Sequence, residues 1–144
     1  MWFGNWTRRA LNPRFLLDTH VVVRWLVEPR KLSREQARVL REVARRQEPV
    51  ALSAISLLEI AVLVGVPSKP GDVTGNELLL DNIEASPAIR ILPLTLEVAR
   101  EVAALGPLRD PSDRAIVATA RVHRLRLITS DERIVDSGLV PVVS

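Results

Sequence analysis

Asp18, Glu59, Asp113 and Asp131 stand alone at the polar edges of otherwise apolar segments, and they are the residues of this chain best suited to chemistry. Asp18 follows Phe15-Leu16-Leu17, and Asp131 follows Leu127-Ile128-Thr129-Ser130. Asp113 lies in Asp110-Pro111-Ser112-Asp113-Arg114, and Glu59 is the one charged residue within Ala51–Val66. A buried carboxylate without a partner is costly, and several converging on one point repel each other. A divalent cation reverses that sign. It would also let an acidic pocket bind a phosphodiester and activate a water against it.

The elements that must position these acids alternate short apolar runs with amphipathic stretches, which predicts βα units and a mainly parallel sheet of about five strands flanked by helices. Residues 14–18 form the first strand, and a short helix over about 20–28 stops near Pro29. Ser33-Arg34-Glu35-Gln36 is a capping box, opening a helix with Leu40, Val43 and Ala44 on one side. Val50–Leu52 is a strand, and Ser53 caps a helix ending at Gly65. Gly65–Gly75, with two prolines and three glycines, is a loop. A helix at about 76–85, strand Ile89–Leu92 and a Thr95-capped helix to Gly106 follow. Asp110-Pro111 opens the next helix, with Pro111 at the favoured first position. Leu125–Thr129 is a strand, 131–137 a short helix and Val140–Val143 the last strand. In such sheets ligands bind beyond the carboxyl ends of the strands, where Asp18 and Asp131 fall.

Each acid also has a plain structural role open to it. Asp18 can cap the helix near His20, Asp131 can sit behind a Ser130 cap, and Asp113 is a first-turn acid favoured by the helix dipole. Glu59 has the weakest such excuse, because Leu57, Leu58, Ile60, Ala61, Val62 and Leu63 surround it.

Composition narrows the chemistry. The 144 residues suffice for one domain with a substantial core, and 47% hydrophobic content argues against disorder. With no cysteine and only His20 and His123, thiolate and histidine-rich metal sites are excluded, leaving oxygen ligands suited to magnesium or manganese. The net charge of +3 rests on arginine, all basic residues but Lys31 and Lys69. Guanidinium groups match phosphate oxygens, a modest pointer to nucleic acid. Neither a signal peptide nor a stretch of membrane-spanning length is expected, so the location expected is cytoplasmic. Residues 1–13 are expected to be a loosely ordered extension and 14–144 the domain.

The series Leu16-Leu17-Asp18-Thr19-His20, Ser56-Leu57-Leu58-Glu59-Ile60, Asp110-Pro111-Ser112-Asp113-Arg114 and Ile128-Thr129-Ser130-Asp131 resembles the PIN-domain ribonucleases, most of all the VapC toxins of toxin–antitoxin pairs. The resemblance covers about residues 14–143. It implies a PIN-like three-layer fold and a pocket of Asp18, Glu59, Asp113 and Asp131 holding Mg²⁺, for which Mn²⁺ substitutes. Asp18, Glu59 and Asp113 would be ligands, with Asp131 acting directly or through water. Thr19, Thr129 and Ser130 match positions that hold a carboxylate or a water behind the ligands, and Arg114 is the nearest phosphate contact, ahead of Arg24, Arg30 and Lys31. His20 is expected to pack at a helix start. Ser112 departs from the bulky apolar residue usual in this motif.

The implied activity is endoribonucleolytic hydrolysis by an activated water, leaving 5′-phosphate and 3′-hydroxyl ends. The implied partners are an RNA substrate, a cognate antitoxin whose C-terminal segment covers the site, and a second copy in a homodimer. Two other classes bear comparison. A receiver or haloacid-dehalogenase-like phosphatase also uses strand-end aspartates, but no lysine follows Lys69, and His20 stands where the phosphatase pattern has its second Asp. A non-catalytic PIN-like module that binds RNA or protein would not need all four acids.

Overall fold

The computed structural model describes residues 12–63 and 75–144, so most of the 1–13 extension and the Gly65–Gly75 loop lie outside the described residues. The described residues form β1 (Phe15–Leu17), α1 (Thr19–Val27), a 3₁₀ turn (Pro29–Lys31), α2 (Arg34–Arg45), β2 (Val50–Ser53), α3 (Ala54–Leu63), α4 (Gly75–Ala85), β3 (Ile89–Leu92), α5 (Leu96–Ala103), α6 (Pro111–His123), β4 (Arg126–Ile128), α7 (Glu132–Ser137) and β5 (Val142–Val143).

The five strands make one sheet in the order β3-β2-β1-β4-β5. Every pairing is parallel, with Leu16 opposite both Ala51 and Leu127, and Leu17 opposite Leu52 and Ile128. The central strands are buried on both faces, so they read as unbroken apolar runs rather than as alternation. Phe15, Leu17, Val50, Leu52 and Ile128 point to one face, where Val21, Val22, Val39, Leu40, Val43, Leu79 and Ile83 cover them. Leu16, Ala51 and Leu127 point to the other, against Val98, Ile116, Val117, Ala118 and Ile134. The result is three layers, helix on sheet on helix.

Sheet order fixes where a ligand belongs. The chain winds from β1 outward to β3, then crosses to lay β4 and β5 on the far side of β1. Right-handed crossovers running in opposite directions put their helices on opposite faces. The order therefore reverses between β1 and β4, and the crevice beyond their carboxyl ends is the natural binding place.

Local chemistry sets the element boundaries. Ser33 and Gln36 make the reciprocal capping box at α2. Asp110 caps α6 through the Asp113 amide, and Pro111 sits at the first position. The Thr95-capped helix stops at Ala103, short of the expected Gly106, because Ala104 already turns back to the Glu101 carbonyl. β4 and β5 are shorter than their apolar runs suggest. Leu125 bonds back to the α6 carbonyl of Ala120 instead of joining the sheet, and after α7 the chain resumes pairing only where the Pro141 carbonyl accepts from the Leu127 amide at 2.9 Å.

Candidate metal centre

All four acids line one open cleft of about 440 Å³ beyond the carboxyl ends of β1 and β4, together with Thr19, His20, Arg24, Lys31 and Leu63. Asp18 is both cap and cleft residue. Its amide extends the ladder to the Ile128 carbonyl at 3.0 Å, and Oδ1 accepts from the Thr19 amide at 2.8 Å. Oδ2 accepts from the Thr129 hydroxyl at 2.6 Å. Only 5% of the residue is exposed, so this carboxylate is fixed by its neighbours. One oxygen caps α1, and the other is held by Thr129.

Glu59 owes its place to Thr19, whose hydroxyl lies 2.6 Å from Oε1 and 2.8 Å from the Ser56 hydroxyl. The expectation that Glu59 is hemmed in by apolar side chains needs correction. Leu58, Val62 and Leu63 are 58%, 70% and 68% exposed, so α3 turns much of its apolar surface outward. What anchors Glu59 is a hydrogen bond across from α1.

Asp113, in the first turn of α6, has its carboxyl pushed up to about 6, first by burial and then by the negative charges of Asp110, Asp131 and Asp18. Asp131 caps α7 through the Arg133 amide at 2.9 Å. Burial works against its charge, but hydrogen bonds from the Arg133 side chain and amide outweigh that and hold it below its ordinary range. Thr129 joins the two sides, since its hydroxyl reaches Asp18 and also accepts from the Asp131 amide at 3.1 Å.

His20 does more than pack at a helix start. Nε2 accepts from the Ser130 amide at 3.0 Å, and Nδ1 lies 3.5 Å from Asp18 Oδ2. Burial lowers its pKa more than Asp18 raises it, so the ring stays neutral at pH 7, as an acceptor nitrogen requires. Arg114 takes no part in the cleft. Its guanidinium is turned to the carbonyls of Leu108 and Gly106. Arg24 and Lys31 do line the cleft, Lys31 paired with Glu28 at 2.7 Å.

Arg133 is the residue that sequence reasoning missed. It lies 3.3 Å from Asp131 Oδ2 and 3.8 Å from Asp113 Oδ2, a positive charge placed between two acids. Its spacing, two residues past a helix-capping aspartate, was the available signal. Among the described residues no group of three or more acids or imidazoles is already arranged to hold a metal ion. Arg133 occupies part of the space between the acids, close to Asp131 and Asp113. The donor set is nonetheless all oxygen, shares one cleft and carries mutual repulsion that a divalent cation would relieve. It fits such an ion, once Arg133 gives way. Arg133→Ala is therefore expected to lower the Mn²⁺ concentration needed for half-saturation several-fold, read by calorimetric titration; an unchanged or weaker affinity would contradict the competition.

The sequence profile of the PIN domain matches residues 15–137. The chain is 31% identical over 119 residues to Ribonuclease VapC22 of Mycobacterium tuberculosis, covering 83% of this chain and 88% of that protein. Among solved structures it resembles FitAcB from Neisseria gonorrhoeae, with 26% identity, a TM-score of 0.63 and coverage of 90% of this chain and 96% of that one. It shares the fold of VapBC2 from Rickettsia felis bound to a promoter DNA fragment, at 17% identity and a TM-score of 0.68, again over 90% and 96% of the two chains. The chain belongs to the PIN-domain family.

Proposed function

We propose that this chain is a metal-dependent endoribonuclease acting as the toxin of a VapBC-type pair. The observation that carries the reading is the convergence of Asp18, Glu59, Asp113 and Asp131, from four separate elements, on one cleft at the point where strand order reverses. Asp18, Glu59 and Asp113 would hold Mg²⁺ or Mn²⁺, with Asp131 a further ligand or a holder of water. A bound cation would neutralise charge on the phosphodiester and lower the pKa of a water so that, deprotonated, it can attack phosphorus. Thr19 and Thr129 orient the carboxylates, and the guanidinium of Arg24 lines the cleft that the incoming backbone would enter. Hydrolysis of this kind leaves 5′-phosphate and 3′-hydroxyl ends and needs no 2′-hydroxyl, so preference for RNA rests on contacts along the cleft.

The name of the 31% relative, a ribonuclease of the VapC series, supports this substrate class. A toxin–antitoxin complex from Klebsiella pneumoniae among the structural neighbours supports an antitoxin partner. We place the protein in the cytoplasm, in keeping with the finding that among the described residues no helix is long and apolar enough to cross a membrane. The outward Leu58 and Val62 of α3 and Leu78 of α4 support a homodimer, a matter for sedimentation analysis. The deciding experiment is cleavage of single-stranded RNA in Mn²⁺ and in EDTA. Cleavage in the first alone is expected. Cleavage in both would overturn the metal mechanism, and in neither would favour a binding module.

A further inference from the structure

We propose that Gln36 is a positioning residue for the acidic cleft: its side-chain amide pins Ser130 and, through it, the segment that carries Asp131. The inference rests on the nuclease reading only for its catalytic consequence.

Gln36 is fully buried in α2, outside the cleft itself. Its Oε1 accepts from the Ser33 amide at 3.1 Å, which completes the capping box. The box asks nothing more of the side chain. Yet Nε2 also donates to the Ser130 hydroxyl at 2.9 Å, across 94 residues of sequence. From the other side, the Ser130 amide donates to His20 Nε2 at 3.0 Å. Ser130 is thus gripped by α2 through its side chain and by α1 through its backbone. Asp131 is the next residue, and its amide is held by Thr129. The last ladder bond of this strand runs from the Thr129 amide to the Val143 carbonyl at 3.0 Å, and beyond it these side-chain bonds hold Ser130.

The choice of amide over acid has a physical reason. Glutamate would complete the capping box equally well. It would, however, bury a further negative charge beside a cleft in which the Asp113 carboxyl already feels Asp131 and Asp18. Glutamine supplies the acceptor for the cap and a donor for Ser130 without adding charge. Where reacting groups must be held within about 1 Å, misplacing a carboxylate-bearing segment lowers turnover steeply.

Three variants separate positioning from capping. Gln36→Met loses both bonds at similar length, Ser130→Ala loses the far partner, and Ser33→Ala weakens the cap while leaving the Gln36–Ser130 contact in place. In the metal-free protein, amide hydrogen exchange at Ser130 and Asp131 is expected to quicken about tenfold in Gln36→Met and Ser130→Ala, and to stay slow in Ser33→Ala. In Mn²⁺, kcat for RNA cleavage is expected to fall about 10–100-fold in the first two, the range seen when a group behind a metal ligand is removed. KM should hold, and the double variant Gln36→Met/Ser130→Ala should be no worse than either single one. Ser33→Ala should lower Tm and leave kcat alone. Unchanged exchange at residues 130 and 131 in Gln36→Met, or an equal loss of kcat in Ser33→Ala, would overturn the proposal and reduce Gln36 to a cap. Should the wild-type chain fail to cleave RNA, the nuclease reading falls, and the exchange comparison still decides whether Gln36 positions the segment.

Discussion

Replacing Asp18 by asparagine, or Glu59 by glutamine, is expected to lower metal-dependent RNA cleavage by more than about 100-fold, beyond the 10–100-fold that follows loss of a group merely holding a ligand. Both substitutions keep shape and hydrogen-bonding oxygen, so they test charge. The introduced asparagine keeps one oxygen to cap α1 and turns its amide nitrogen toward Thr129, whose hydroxyl must then accept, and the introduced glutamine could still accept from Thr19. Stability is therefore expected to change little, and far-ultraviolet circular dichroism should be superimposable. Calorimetric titration should show Mn²⁺ binding weakened in both. Full activity in either variant would remove that residue from the proposed ligand set. Loss of activity with unaltered Mn²⁺ binding would shift its role to the substrate.

These expectations draw on features that were legible in the sequence to different degrees. Strand-end placement of Asp18 and Asp131 followed from apolar runs short enough to be buried strands, and the structure has both at the β1–β4 edge. The capping box at Ser33 and the Asp110-Pro111 helix start were equally readable, because caps are local chemistry. Glu59 was singled out because a charge within an apolar run needs a polar cavity or a partner; it has both, although Leu58, Val62 and Leu63 beside it are exposed. The bond that holds it comes from Thr19, 40 residues away, and no local pattern encodes such a partner. Arg114 shows the reverse failure. Adjacency to Asp113 suggested a shared site, but consecutive residues on a helix point about 100° apart, and Arg114 faces the 106–108 turn. Arg133 and Gln36 depend on which elements meet across the sheet, which the order β3-β2-β1-β4-β5 decides and composition does not.

Asp113→Asn should separate stability from function at the same residue. In the folded chain the Asp113 carboxyl is pushed up to about 6 from an ordinary value of 3.8, first by burial and then by Asp110, Asp131 and Asp18. A carboxyl whose folded pKa lies above its unfolded one binds protons more readily when folded, so stability falls as pH rises between the two values. The penalty is small near pH 4, grows through the interval to about 6, and is complete above it. A shift of about two units corresponds to roughly 3 kcal/mol. Solvent screening at this partly open cleft reduces the expected figure to about 1–2 kcal/mol. Metal-free Asp113→Asn is thus expected to melt about 3–8 °C higher than the parent at pH 7.5, with most of the difference gone at pH 4. Mn²⁺ is expected to reverse the ranking, stabilising the parent by binding the folded state, more weakly below about pH 6 where it would have to displace the Asp113 proton, and raising the variant's Tm far less. Thermal melts at both pH values, with Mn²⁺ and with EDTA, read all of these outcomes. A variant that is less stable at pH 7.5 without metal would show that Asp113 is not crowded by the other acids, and one that is also equally stabilised by Mn²⁺ would show that it is not a ligand. The fold would then be tolerating the acidic cluster without any need for a cation to hold it together.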